Sequence, residues 1–226
     1  MDHLLDNIIW HSLAGAHAIY SQGTDTARRY APGFSPILGF AAAQDPDFEA
    51  LAPYCAAGEN FYVDVWSGKA PAGWTIETEA TMYKMIWDAA APAIDALPEP
   101  VRLDASHAAR ALELAQLTHP GPFGLRTLEL GEYFGFFEGS RLMAMAGERL
   151  FAGNFREISG VCTHPDFQGR GLARHLMVRL IRRELQRGEI PVLHVMCENL
   201  TAHGLYERIG FRDHRVSVVR VISPQT

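Results

Sequence analysis

"GVCTHPDFQGRGLARHLM", residues 160–177, runs from an apolar strand pattern through a glycine-arginine turn into a helix pattern. Gly169 and Gly171 let the backbone turn tightly and let a ligand approach the amides. The free N–H groups of a helix start favour an anion, a phosphate above all, and Arg170 and Arg174 add positive charge. The turn lacks both GxxxxGK[ST] and GxGxxG, so it is neither a nucleoside-triphosphate loop nor the dinucleotide fingerprint. A pyrophosphate carrier without magnesium ligands or hydride chemistry fits it, and coenzyme A answers that description. The same glycines also suit a strand-to-helix turn that binds nothing. Cys162 and His164 raise a third reading, a cysteine nucleophile with its base. Pro165 interrupts the strand that would align them, no third orienting group is evident, and a cysteine on a buried strand is usually a small hydrophobe.

On the C-terminal side, "GLARHLMVRLIRREL" predicts a long amphipathic helix, with Leu172, Ala173, Leu176, Met177, Leu180, Ile181 and Leu185 inward and arginines outward. "PVLHVMCE" predicts a strand, "LTAHGLYERIG" a short helix ended by Gly210, and "FRDHRVSVVRVIS" one or two closing strands. On the N-terminal side come a strand "VRLD", a helix "ASHAARALELAQL", a loop "HPGPFGLRT", a hairpin turning at Glu138-Gly139-Ser140, and the strand "NFREISGVCTH". In the first half, residues 2–20 carry one helical apolar face, and "ILGFAA" reads as a strand. Asp45 and Pro46 are placed to cap and open a short helix. "NFYVDVW" and "WTIE" read as strands, and "TEATMYKMIWDAA" as a helix. Pro92, Pro98 and Pro100 then break the pattern. We expect a boundary there, between an accessory half (1–98) and a second domain (99–226); the alternative is an extended surface connection inside one domain.

Two motifs carry a resemblance. "EISGVCTHPDFQGRGLARHLM" resembles the acyl-CoA-binding motif of the GCN5-related N-acetyltransferases (GNAT), with Gln168, Gly171 and Ala173 on its fixed positions. "ENLTAHGLYERIGFR" resembles the same superfamily's N-x-x-A-x-x-x-Y-x-x-x-G-F segment, through Asn199, Ala202, Tyr206, Gly210 and Phe211. They follow in the expected order, one strand apart, and the closest flavour is the FR47-like branch. The likeness covers residues 101–222.

The resemblance implies an α/β fold, a mixed and mostly antiparallel sheet with flanking helices, that is, an acyl-CoA N-acyltransferase fold with an N-terminal accessory half. That half is either a degenerate copy of the fold or a cap on the acceptor site. The resemblance implies acetyl-CoA as co-substrate. Main-chain groups of Val161, Cys162 and Thr163 would pair with the pantetheine arm. Gln168, Gly169, Arg170, Gly171, Leu172 and Ala173 would hold the pyrophosphate, with Arg174 near a phosphate. Asn199 would bond the cofactor arm. The implied reaction is direct attack of an amine on the thioester in a ternary complex. Tyr206 is the candidate acid for the leaving thiolate. Glu157 is the candidate base, Glu148 its rival. The loop 119–127 would border the acceptor, a small-molecule or peptide amine. The alternative is a non-catalytic acyl-CoA sensor or interaction module.

The totals agree with that frame. The chain has 226 residues, 48% of them hydrophobic and 20% charged, as in an ordinary globular protein. A net charge of -6 argues against general nucleic-acid binding. Three cysteines without CxxC spacing argue against a disulfide framework or a cysteine zinc site. The ten histidines show no metal-ligand spacing, so no metal site is expected. No run approaches the ~18 apolar residues of a membrane helix, and the N-terminus lacks a basic region and cleavage site. We expect a soluble cytoplasmic protein, with a homodimer left open.

Overall fold

The computed structural model describes residues 2–93 and 98–225. Its strands are β1 (Ser21–Gly23), β2 (Ala27–Tyr30), β3 (Leu38–Phe40), β4 (Phe61–Asp64), β5 (Trp74–Trp87), β6 (Val101–Leu103), β7 (Tyr133–Glu138), β8 (Arg141–Ala152), β9 (Phe155–Thr163), β10 (Ile190–Met196) and β11 (Phe211–Pro224). Its helices are α1 (Asp2–Asp6), α2 (Ile8–Ala14), α3 (Phe48–Leu51), α4 (Ala108–Thr118), α5 (Leu172–Gln186) and α6 (Leu200–Ile209). β1-β2-β3 form a small sheet, and the rest join one sheet in the order β4-β11-β5-β10-β9-β8-β7-β6. Within the large sheet only β9 and β10 pair in parallel; the other neighbours are antiparallel. The expected mixed, mostly antiparallel α/β architecture is the one observed.

Strand alternation sends successive side chains to opposite faces, and β10 shows the result. Leu193 and Val195 join the core under α5 and α6, with Leu176, Met177, Leu180 and Tyr206. Val192 joins the other core, under α1 and α2, with Leu5, Ile8, Leu13, Tyr30 and Phe155. α5 is favoured by straight-chain leucines and arginines. It is capped by Gly171 and buries Leu172, Leu176, Met177, Leu180 and Ile181 of the predicted stripe, while Ala173 and Leu185 are half-buried. His175 and Glu184 are buried on it as well, which the arginine-rich pattern did not indicate.

The first half departs from expectation in several places. Residues 2–20 are two short helices and a 3-10 turn rather than one helix. The cap of α3 is Asp47, whose side chain accepts the Ala50 N–H, not Asp45. The helix expected over "TEATMYKMIWDAA" is absent: residues 74–87 are one strand, β5. Its apolar residues fit both periodicities, and its threonines, tyrosine, isoleucine and tryptophan favour a strand. Tertiary pairing decides, since β5 is hydrogen-bonded on both sides, to β10 and to β11.

This placement bears on the expected boundary at residue 98. Residues 94–97, in the middle of that proline-rich break, lie outside the described residues. On either side of it, strands enter the same sheet. β4 and β5 come from the first half, and β5 lies between β10 and β11 of the second.

Candidate active site

The parallel ladder of β9 and β10 is short. It pairs Phe155 with Ile190, Arg156 with Pro191 and Glu157 with Val192, and goes no further. Beyond it the strands diverge, so residues 158–163 of β9 lack a β10 partner and a slot opens through the sheet. A register shift against β8 falls here: Met145 pairs with Cys162, but Gly147 pairs with Ser159. The extra residue makes a bulge. Gly160 adopts φ +62° in it, and a Cβ there would sit 3.2 Å from the Tyr133 ring.

A cavity of about 470 Å³ fills the slot. Val161, Val195, Asn199 and Tyr206 line its α5–α6 side. His194 lines it from the opposite face, where alternation sets it beside Val192. The far wall comes from the first half of the chain, including Tyr62 and Asp64 of β4 and Thr78 and Ala80 of β5. His119, Pro120, Gly121 and Pro122 complete the rim, so the loop expected to border the acceptor does reach the cavity.

The glycine turn follows β9 and the short 3-10 turn Pro165–Phe167 and leads into α5. Gly169 and Gly171 have φ of +76° and +75°, and nothing stands within 4 Å of a Cβ built on either. Gly171 caps α5 without a side-chain hydrogen bond, and the first turn carries no acidic residue. The first N–H groups of a helix have no intrahelical acceptor. This turn thus presents them toward open space, with the positive end of a 15-residue helix behind. Gln168 and Arg170 are exposed; Arg170 lies over the Phe167 ring. Leu172 is buried in the core, and Ala173 is half-buried. Arg174 is exposed on the first turn.

The remaining expected residues fall as follows. Val161 is half-buried at the cavity wall; Cys162 points the other way, into the core under α4. Burial pushes the Cys162 thiol up to about 11, and His164 lies instead in a surface cluster with Arg141 and Asp166. The cysteine–histidine pair is therefore no nucleophilic dyad. Thr163 closes β9 opposite Ala144. The Asn199 side-chain oxygen is committed to the Ala202 N–H as the cap of α6, which leaves its NH2. Tyr206 is 8% exposed, and burial pushes its hydroxyl up to about 12, so it keeps its proton at neutral pH.

Glu157 is where the structure differs from expectation. Its carboxylate is 1% exposed and absent from the cavity wall. Arg149 clamps it with two bonds, Nη2 to Oε1 at 2.7 Å and Nε to Oε2 at 2.9 Å, and His194 Nδ1 meets Oε1 at 2.7 Å. Burial alone would raise its pKa, but the Arg149 charge and the His194 bond outweigh it and hold the acid down at about 2. So weak a base does not deprotonate an ammonium. The rival, Glu148, is paired with Arg187 and Arg156 and also lies off the cavity. His194 Nε2 is buried with no hydrogen-bond partner, an omission that costs about 1–3 kcal/mol when nothing completes it. The signal for His194 was present in the sequence, as one titratable residue inside the apolar run "PVLHVM".

The clamp has a consequence for stability. The folded pKa of Glu157 lies below its ordinary value of 4.5. Its contribution is therefore complete above pH 4.5 and is lost as pH falls toward 2. It amounts to ~3 kcal/mol, of which ~2 is gone by pH 3. Urea unfolding of wild type and Glu157→Gln at several pH values checks this: the stability difference between them shrinks on acidification.

Comparison with known proteins agrees with the geometry. The model of the FR47-like protein family matches residues 133–220. A GNAT-family protein of Novosphingobium aromaticivorans has 32% sequence identity and a TM-score of 0.89, over 98% of this chain and 99% of its own. A GCN5-related N-acetyltransferase of Kribbella flavida shares the fold at 15% identity, with a TM-score of 0.64 over 96% of this chain and 95% of its own. A GCN5-related N-acetyltransferase-like protein of Streptococcus suis does so at 19%, with a TM-score of 0.61 over 95% and 92%. No curated protein matches the sequence.

Proposed function

The chain belongs to the GCN5-related N-acetyltransferase superfamily, in its FR47-like branch, and on that premise we propose that it transfers an acetyl group from acetyl-CoA to an amine bound beside it. The observation that carries the reading is the slot between β9 and β10, with Tyr206 on its wall, together with the glycine turn that follows β9. The residues fit coenzyme A. The turn offers unpaired amides and open space where a pyrophosphate belongs, and β9 offers an unpaired edge to a pantetheine arm. When bound, acetyl-CoA supplies an acyl group already activated by a thiol leaving group.

The chain's own residues supply the rest. Amides from Gly169 to Ala173 hold the diphosphate. The edge at Val161 to Thr163 aligns the arm as an added strand would. The Asn199 NH2 is free to bond it. Tyr206 keeps its proton until the thiolate leaves. The first half of the chain closes the acceptor side through Tyr62, Asp64 and Thr78, which favours a cap over a second, degenerate site. Holding both reactants in one slot supplies orientation that solution does not.

Thiol release from acetyl-CoA, measured over a panel of amines, amino acids and short peptides, tests the proposal. The expected result is amine-dependent thiol release. Coenzyme A binding with no turnover on any acceptor would favour the sensor.

A further inference from the structure

We propose that His194 is the base that takes the proton from the acceptor amine, and that Glu157, clamped by Arg149, positions it. The assignment rests on the transfer reading above and adds to it the group that makes the amine nucleophilic.

The hydrogen bonds fix the tautomer. Glu157 receives two N–H groups from Arg149 and so sits as a carboxylate, with no proton to give. The 2.7 Å contact with His194 must then run from Nδ1–H to Oε1. In a neutral ring this leaves the lone pair on Nε2, the atom that has no hydrogen-bond partner among the described residues. A carboxylate that orients an imidazole and stabilises its protonated form is the arrangement used by hydrolytic triads. Both Glu157 oxygens are occupied, so it acts only through the ring.

Placement agrees. His194 lines the cavity on the face opposite Tyr206, so donor and base stand on either side of the slot. Arg149 also lines the cavity, beside the ring's own carboxylate. Lys84 of β5 is in register with His194, and its charge is met by Asp64 at 2.7 Å. Across the cavity stand Glu198, Arg220 and His119. Asp64 is thereby paired, and His119 sits on an exposed loop with no carboxylate bonded to it. Nε2 itself is closed to water, so the ring tightens onto the amine only when the acceptor is seated, as catalytic contacts often do.

The protons balance. The ammonium gives one proton to Nε2, and its lone pair forms the C–N bond. The C–S bond breaks with its electron pair on sulfur. Sulfur takes the Tyr206 proton, which the amine's second proton replaces. As the product leaves, His194 gives its proton up through the cavity that it lines.

The test combines kinetics with a measurement on the resting protein. The pH dependence of kcat/KM is recorded with acetyl-CoA and the fastest amine of the panel, for wild type, His194→Asn and Glu157→Gln. Coenzyme A affinity by calorimetry serves as the folding control. His194→Asn is expected to lose about a hundredfold in kcat/KM and the acidic limb with it, at unchanged coenzyme A affinity. Glu157→Gln is expected to lower kcat/KM and to admit the Nε2–H tautomer at His194, because the carboxylate that fixes the Nδ1–H form is gone. Long-range ¹⁵N NMR of the wild-type histidines is expected to show His194 as the Nδ1–H tautomer; an Nε2–H ring overturns the assignment even if the variants do not fold. Turnover with an unchanged profile in His194→Asn overturns the base alone. A wild-type chain that turns over no amine overturns the transfer reading, and the base falls with it.

Discussion

Tyr206→Phe is expected to lower kcat roughly a thousandfold, within the range of a lost general acid, while coenzyme A affinity holds. The ring is packed in the core under α5 and α6 and meets Phe211 edge-on, so Phe fills the same volume. What is lost is one hydroxyl at the cavity, held protonated by burial. The thiolate of a departing thiol has an ordinary pKa of ~8.5, so at neutral pH it leaves more readily when it collects a proton. A loss in kcat with no change in coenzyme A binding identifies a role in the reaction rather than in the fold. The measurement is steady-state thiol release with calorimetry beside it. A variant that turns over at the wild-type rate removes Tyr206 from the chemistry.

Lys84→Met is expected to cost about 3–5 kcal/mol, the usual result of breaking a buried ion pair from one side. Lys84 is 0% exposed, and its ammonium is held by Asp64 at 2.7 Å and by the main-chain oxygen of Asp6 at 3.0 Å. Removing it strands the Asp64 carboxylate, itself 6% exposed. For a chain this long the loss corresponds to a fall in Tm of roughly 6–20 °C. Desolvation is what both charges oppose, so removing both recovers much of the loss. The double variant Asp64→Leu/Lys84→Met is expected to melt well above Lys84→Met alone. Thermal melts of the three proteins check it; equal melting of the single and double variants would show that the pair is not what Lys84 contributes.

The glycine turn and the tyrosine helix were legible in the sequence because each needs particular residue types at fixed offsets from a helix end. Gly169 and Gly171 supply positive φ, and Asn199 supplies a cap. Lys84 shows why β5 was not. A lysine in the middle of a mixed run reads as a solvated helix face, and only its partner on β4, twenty positions earlier, makes it an interior residue of a strand. Glu157 shows the same limit. Glu157 stands at a sensible place on β9, but its role depends on Arg149 and His194, which chain distance hides and the sheet brings together.

The position of β5 also constrains the order of events as the chain comes off the ribosome. The strands that pair with residues 74–87 lie at residues 192–196 and 211–224. More than a hundred residues must be made before either edge of β5 is covered. Pairing at such sequence distance is slow to form, because loop closure precedes any reward. Until then the first half carries a strand with two open edges and tryptophans that the folded protein buries, the kind of segment that aggregates when exposed. Deletions within β11 are therefore expected to lower soluble yield, measured as the soluble fraction on expression.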